Sequence, residues 1–157
     1  MAAGDILVVT PFMLGQMRGH ASGGFPIDFD GDTIKLMLLT ASFDGAKTGH
    51  SFVGSLTSFE VTAGTAYTAG GPTIASMTVS FSGTIVSIFA GNVTIASDAA
   101  GFAAARWGVF YKEKAAASLT DSPVIAVLDL GSARTNTTGA LTINFTNGEM
   151  ARVSSNP

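Results

Sequence analysis

The chain contains no cysteine and few charged residues, and each absence restricts what it can be. Without cysteine, neither a disulfide framework nor a thiolate metal site can form. Only 12% of the 157 residues are charged, roughly half of the usual share for a globular domain. Two explanations account for such a surface: Ser, Thr, Asn and Gly supply its polarity, or a partner covers part of it. We favour the partner.

The sign of the charge and the length of the apolar runs exclude further classes. Net charge is −3, and the eight basic residues are scattered, Lys112 and Lys114 being the closest pair. Nucleic-acid binding needs clustered Lys and Arg, so we expect no nucleic-acid partner. The sequence contains no run of 18 apolar residues, so it predicts no membrane span. Residues 1–5 lack the basic region of a secretory signal. We therefore expect no membrane partner, and synthesis and folding in the cytoplasm.

Apolar and polar residues alternate with a period of two in much of the chain after residue 31. In 76–82, Met77, Val79 and Phe81 are separated by Ser or Thr, which predicts a strand with one buried and one solvated face. Turn residues separate about eight such short segments, at 33–39, 76–82, 85–89, 93–95, 104–111, 124–130, 141–145 and 149–153. This pattern predicts a mainly β fold, either an antiparallel β-sandwich or a partly open barrel.

Residues 1–31 are irregular and predict an N-terminal arm, followed by a single β domain at 32–157. Thr10 can act as N-cap and Pro11 as the first residue of a short helix that runs to Arg18. The glycine-containing segment 19–24 would end it. Residues 112–117 are compatible with a second short helix or with a hairpin loop.

Two motifs carry a weak trace of binding chemistry. Asp28, Asp30 and Asp32 resemble a calcium loop, but the twelfth position, where an EF-hand has Glu, is Leu39 inside a predicted strand. We interpret these residues as a polar lead-in to that strand, with a surface calcium between subunits as the alternative. Residues 45–48 (Gly-Ala-Lys-Thr) break the order of a phosphate-binding loop and are interpreted as a loop.

The histidines and carboxylates select no site either. His20 and His50 lie far apart without a close acidic neighbour, so we interpret both as loop histidines. A glycosidase needs two carboxylates, but the spacing of the four candidates favours no pair: Glu60, Asp98, Asp129 and Glu149. For Asp129 we expect an ion pair at the edge of the core, with Arg106 on a nearby strand.

Trp107, Val109 and Tyr111 follow each other at even steps and should share one face of a strand. A row of aromatic core residues explains them better than a ligand platform. From the residues, we therefore assign no catalytic, cofactor-binding or metal-binding residue, and we expect neither a cofactor nor an enzymatic activity.

Five stretches, taken in order, resemble small β-rich virion structural proteins of tailed bacteriophages. The most specific element is the loop Gly64-x-x-Tyr67-x-x-Gly70-Gly71. The five stretches are 12–19, 27–40, 59–71, 106–112 and 123–131. They span about three quarters of the chain. Segment 82–99 departs from the resemblance, because it contains a strongly apolar run at 85–90 where relatives are more polar. Either a local difference in the core or a buried subunit contact would explain this run.

The resemblance implies a virion location, in the head, neck or tail. We expect a capsid cement or decoration protein that binds the major capsid protein and stabilises the expanded head. A charge-poor β domain can bury self-complementary faces, so we expect a homo-oligomer, as a trimer. We expect contacts through 6–25, 43–56 and the tail after Glu149. The alternative is a tail, neck or fibre component that binds tail or neck proteins. A sugar-binding or sugar-cleaving tailspike domain is a third hypothesis, and it would need paired carboxylates and stacked aromatic rings.

Overall fold

Nine strands and three short 3-10 helices make up the part of the chain that the computed structural model describes. That part comprises residues 6–8, 26–45, 49–83, 85–114 and 119–154, with the backbone alone for 6–8, 153 and 154. The strands are β1 (Ile6–Val8), β2 (Ile34–Leu39), β3 (Thr78–Ser82), β4 (Ile85–Phe89), β5 (Val93–Ile95), β6 (Ala105–Lys112), β7 (Val124–Arg134), β8 (Leu141–Ile143) and β9 (Glu149–Ser154). The 3-10 helices are Val53–Phe59, Leu119–Asp121 and Thr146–Gly148.

The strands form three antiparallel sheets. A four-stranded sheet has the order β1-β7-β6-β2, a three-stranded sheet the order β3-β4-β9, and β5 pairs with β8. The fold is therefore mainly β and sandwich-like, and it is not a closed barrel. The predicted fold class is confirmed.

The four-stranded sheet is buried on both faces. Leu36 and Leu38 belong to one hydrophobic cluster, whereas Met37 and Leu39 belong to a second one. Because successive side chains of a strand point to opposite faces, the two clusters lie on opposite sides of this sheet. This explains why 34–39 is apolar at nearly every position, as strands covered on both faces are.

Different elements cover the two faces of this sheet. The 3-10 helix Val53–Phe59 covers one face with Val53 and Leu56. Strands β5 and β8 contribute Val93, Ile95 and Ile143 to the cluster on the other face. The alternation of apolar and polar residues did not predict this helix, because Gly54 and Ser55 separate its two buried residues, Val53 and Leu56.

The predicted strands are confirmed, with ends that differ by a few residues. The largest difference is in β7, which continues to Arg134, four residues beyond its predicted end. The predicted helix at 10–18 and residues 115–117, the second half of the other possible helix, lie outside the described residues. Within the predicted arm, β1 pairs with β7, and Ile27 and Phe29 belong to the core. The domain boundary after residue 31 stays a prediction.

The prediction of a buried apolar face on β3 is wrong for two of its three residues. Met77 is buried, but Val79 and Phe81 are exposed. All five residues of β3 are exposed, so the rest of the described chain leaves much of this strand uncovered. A period of two shows that one face of a strand is apolar, but it carries no information about whether the same chain covers that face.

No helix in the described ranges is both long and apolar enough to span a membrane.

Candidate functional site

The acidic segment 28–32 is built into the fold by hydrogen bonds. Asp28 Oδ1 accepts from Asp30 N at 3.1 Å, and Asp32 Oδ2 accepts from Asp28 N at 2.7 Å. Asp32 Oδ2 also pairs with Lys112 Nζ at 2.8 Å, and Asp30 Oδ1 accepts from Val79 N at 3.0 Å. The three carboxylates therefore shape the lead-in to β2 and attach it to β6 and β3, which is the role that the sequence interpretation assigned to them.

The loop that carries the resemblance most specifically is a hydrogen-bonded latch on β2. Glu60 Oε1 accepts from Tyr67 OH at 2.8 Å and from Gly70 N at 2.6 Å. Tyr67 OH in turn accepts from Leu38 N of β2 at 2.9 Å, and Tyr111 OH donates to Gly70 O at 2.7 Å. Burial raises the pKa of both tyrosine hydroxyls above the ordinary value, so both stay protonated and serve as hydrogen-bonding groups.

Gly71 lets the end of this loop approach the backbone of β2 closely. It has φ +77°, and a Cβ atom built on it would lie 1.9 Å from Leu36 O. Beside it, Leu36 N donates to Pro72 O at 3.0 Å and Ile74 N donates to Ile34 O at 2.8 Å. Only glycine fits this position, because both the backbone angle and the space exclude a side chain.

Asp98 holds the other end of the same loop. Its Oδ2 accepts from Thr65 N at 2.6 Å and from Ala66 N at 3.0 Å, and its Oδ1 accepts from Ala100 N at 3.0 Å. Hydrogen bonds from the backbone N–H groups, that of Ala66 first, hold the pKa of this carboxyl below its usual value. Asp98 thus stabilises a turn, and both of its carboxylate oxygens accept hydrogen bonds from the backbone.

Asp129 and Arg106 form the ion pair expected from the sequence. Asp129 is 2% exposed and accepts two hydrogen bonds from the Arg106 guanidinium and one from Gly131 N at 2.6 Å. The Arg106 hydrogen bond is the main cause of a pKa of Asp129 below its usual value. The guanidinium carbon also lies 4.3 Å from the ring centroid of Trp107, in a cation–π contact.

Trp107, Val109 and Tyr111 pack in one cluster, which confirms the aromatic core row. Phe43 joins it, with its ring centroid 6.1 Å from that of Trp107. Phe43, Val53 and Leu56 are all buried, so segment 43–56, which we expected to contact partners, packs these three apolar side chains inside the chain, whereas Phe52 is half-buried.

His50 and Gly45 have local roles in the same region. His50 Nδ1 lies 2.9 Å from Ser55 Oγ, and its ring contacts Phe43 edge-on. Gly45, with φ +75°, packs against the Trp107 ring. Residues 46–48 and His20 lie outside the described residues.

Glu149 has an ion pair within its own strand. Its Oε1 accepts from Arg152 Nε and its Oε2 from Arg152 Nη2, both at 2.7 Å, and Oε1 accepts from Ser87 Oγ at 2.8 Å. These bonds, that of Arg152 first, lower the pKa of Glu149 to about 2. In the described part of the chain, no hydrogen bond joins Glu60, Asp98, Asp129 or Glu149 to another of the four. The fold gives each of them separate partners.

Acid should therefore destabilise the protein in part through Glu149. A carboxyl whose folded pKa lies below its unfolded value stabilises the fold above the unfolded pKa, and this contribution is lost as the pH falls through the folded pKa. From an ordinary pKa of 4.5 and a folded pKa of about 2, the loss extends from about pH 5 to pH 2. Urea unfolding at pH 5 and pH 3 should show a smaller loss for Glu149→Gln than for the wild type.

Arg152→Gln is the matched variant for this experiment, because it removes the main cause of the low pKa and keeps the carboxyl. It should also reduce the pH dependence of the free energy of unfolding. If both variants retain the wild-type dependence, the Glu149–Arg152 pair does not contribute to acid sensitivity.

The remaining candidate is a surface, not a cluster of chemical groups. In the described part of the chain, all large exposed hydrophobic side chains lie on the β3–β4 hairpin: Val79 at 41% exposure, Phe81 at 83% and Val86 at 42%. Phe81 and Val86 are directly opposite each other, and Val79 lies two residues from Phe81, so the three share one face, here called the apolar face.

The opposite face of this sheet carries its serines and its paired charges, together with the half-buried Ile85 and Phe89. Ser80 is directly opposite Ser87, and Ser87 is opposite Arg152, whose guanidinium is paired with Glu149. The charged side chains of the three-stranded sheet are thus engaged with each other on the face away from Phe81. A partner that covers the apolar face would not have to desolvate either charge.

Comparison with known proteins found no match: no protein-family model, no curated protein and no solved structure matches the chain.

Proposed function

We propose that this chain is a virion structural protein of a tailed bacteriophage, namely a capsid cement protein that binds the expanded head as a homotrimer. The observation that carries the proposal is the apolar face of Val79, Phe81 and Val86, left exposed by a chain with few charges. The sequence resemblance supplies the class of partner, which is the major capsid protein.

The exposed side chains have the properties of a binding surface. Burying one large apolar side chain contributes about 1.5–3 kcal/mol, so covering Phe81 and its two neighbours would stabilise a complex appreciably. Apolar clusters of this kind on a monomer typically mark interaction sites. A protein that binds the expanded shell and not its precursor stabilises the expanded shell by mass action.

A binding titration tests the proposal. Purified protein is added to expanded heads that lack it, the heads are pelleted, and the bound protein is quantified. We expect saturable binding with a stoichiometry set by the symmetry of the shell, together with a higher melting temperature of the shell. Absence of binding to heads would refute the cement role, and the titration would then be repeated with purified tails and necks.

Val86→Lys is the variant that connects this binding to the apolar face. It places a charge in the centre of that face, where burial without a partner is costly, so we expect at least about a tenfold weaker binding to heads. Thr94→Lys, on the exposed surface of the separate β5–β8 sheet, is the matched control and should bind as the wild type does. Equal binding by both variants would assign head binding to another surface.

A further inference from the structure

The outer edge of β3 has an unpaired backbone. β3 ends the strand order β3-β4-β9, so it has a neighbouring strand on one side only. Val79 N–H does not bond β4, but donates to Asp30 Oδ1 at 3.0 Å. Alternate residues of an antiparallel strand direct their N–H and C=O groups to opposite edges, so Phe81 presents its N–H and C=O to the same outer edge as Val79. Within the described ranges, no residue bonds to the N–H or the C=O of Phe81.

By contrast, the chain covers one edge of its four-stranded sheet. β2 ends the four-stranded sheet, and its outer edge is bonded along its length by the segment that follows Phe59. Thr40 N donates to Phe59 O at 2.8 Å, and Val61 N donates to Leu38 O at 3.0 Å. Further along β2, Leu38 N donates to Tyr67 OH and Leu36 N donates to Pro72 O. Among the described residues, the outer edge of β3 has no such cover beyond the bond from Val79 N to Asp30.

β3 also lacks the features that protect exposed edges from pairing. Such edges usually carry charged residues, especially Lys, or Pro, or are interrupted by a bulge. The sequence of β3, Thr-Val-Ser-Phe-Ser, contains neither charge nor Pro, and its pairing with β4 is regular. The opposite edge strand, β9, carries Glu149 and Arg152. Of the two edges of this sheet, β3 is the one that is open to another strand.

We propose that β3 pairs in antiparallel orientation with β3 of a second copy, so that two three-stranded sheets join across a two-fold axis. A neutral strand pairs with itself without repulsion between like charges, and a two-fold contact closes after two copies. If the axis passes at Phe81, Val79 of one copy is opposite Gly83 of the other. The two Asp30 carboxylates, each bonded to Val79 N of its own copy, are then four residues apart, or about 13 Å along the strands. This distance exceeds the Debye length of about 8 Å at physiological salt, so the repulsion between them is largely screened.

The inference deepens the proposed function and rests on it in one respect: the joined sheets would present the two apolar faces side by side as one surface for the head. The pairing itself does not depend on head binding. The two contacts use different groups, since pairing uses the backbone edge of β3 and head binding uses the side-chain face that includes Val86. Two-fold pairing is compatible with a trimer only as a dimer of trimers.

The mass of the free protein tests the pairing. Light scattering after size exclusion should give an even multiple of 15.9 kDa, two chains or six. Phe81→Pro removes the N–H of the outer edge and leaves the bonds between β3 and β4 in place, a position where an edge strand tolerates Pro. It should halve the mass. Val86→Lys lies one strand away from the edge and should keep the wild-type mass while it loses head binding.

Several outcomes would overturn the pairing. A wild-type mass of one chain or three chains excludes a two-fold contact in solution. Loss of association in Val86→Lys that is as complete as in Phe81→Pro would indicate stacking of apolar faces instead of edge pairing. Circular dichroism and thermal melting establish that each variant is folded.

Amide hydrogen exchange measures the same contact without a substitution. Pairing places the Phe81 N–H in an intermolecular hydrogen bond, so its exchange should slow at least about tenfold when the concentration is raised through the dissociation range. Ser80, whose N–H points toward β4, serves as the internal reference. An unchanged Phe81 rate overturns the pairing. If the protein does not bind heads, but contains an even number of chains and exchanges the Phe81 N–H slowly, the cement role is refuted and the pairing stands.

Discussion

Gly71→Ala should prevent folding or cost more than about 4 kcal/mol in the free energy of unfolding, a size reached by few single substitutions. Two penalties add at this residue. The left-handed backbone, with φ +77°, costs a residue with a Cβ roughly 1–2 kcal/mol. The added Cβ would also lie 1.9 Å from Leu36 O, a backbone atom that can move only if the loop leaves β2. Expression, circular dichroism and urea unfolding measure the effect.

Two other glycines separate these penalties. Gly49 has φ +92° and no described atom within 4 Å of a built Cβ, so Gly49→Ala should show the conformational cost alone, about 1–2 kcal/mol. Gly139 has open space and no positive φ, so Gly139→Ala should change stability by less than about 1 kcal/mol. If Gly71→Ala costs no more than Gly49→Ala, the close approach to Leu36 is not a constraint.

Tyr67→Phe should have the second largest effect, with a loss of about 2–3 kcal/mol. The substitution keeps the ring, which is 1% exposed, and removes only the hydroxyl. Leu38 N–H then loses its acceptor in a buried strand, and the Glu60 carboxylate loses a donor. An unpaired buried donor costs about 1–3 kcal/mol, and hydrogen bonds to charged groups contribute about 1.5–3 kcal/mol. The melting temperature should fall by roughly 5–10 °C.

Tyr111→Phe is the matched control for this substitution. Tyr111 is as buried as Tyr67, but its hydroxyl makes one hydrogen bond, to Gly70 O. We expect a loss of about 1 kcal/mol, the usual contribution of a neutral hydrogen bond. If the two variants are equally destabilised, Tyr67 does not latch the loop onto β2 through Leu38 and Glu60.

These two predictions assign a structural role to the loop that carries the resemblance. Residues 64–71 contain the most specific element of the resemblance. Tyr67 OH accepts from Leu38 N at the outer edge of β2, and Gly71 lies close against Leu36 of the same strand. The loop therefore explains how the fold protects one sheet edge. The Tyr67 hydroxyl of this loop is bonded both to the Glu60 carboxylate and to the backbone of β2.

Much of the fold could be predicted from the residues, because the relevant signals are local. Turn residues and alternation located the strands, and the expected partner of Asp129 followed from a buried carboxylate that needs a cation. The 3-10 helix Val53–Phe59 was missed, because it is short and held by packing against the four-stranded sheet rather than by a periodic pattern. β1 was missed since three apolar residues carry no period.

The candidate binding surface could be predicted only in part. Segment 85–90 was identified as unusually apolar, with a core difference and a subunit contact left open. The structure shows that Ile88 and Ala90 of this segment pack in the core, whereas Val86 is exposed. For β3, the same alternation predicted a buried face, and the structure shows Val79 and Phe81 exposed.

The sequence by itself determined that this protein is mainly β, where most of its strands run, and which strand faces are apolar. Only the tertiary structure decided which of those faces and edges the chain covers itself. The period of a strand is set by backbone geometry within a few residues, whereas cover is supplied by segments far away in the sequence, as residues 59–74 supply it to β2. At β3 no described segment supplies such cover, and we propose that partners do.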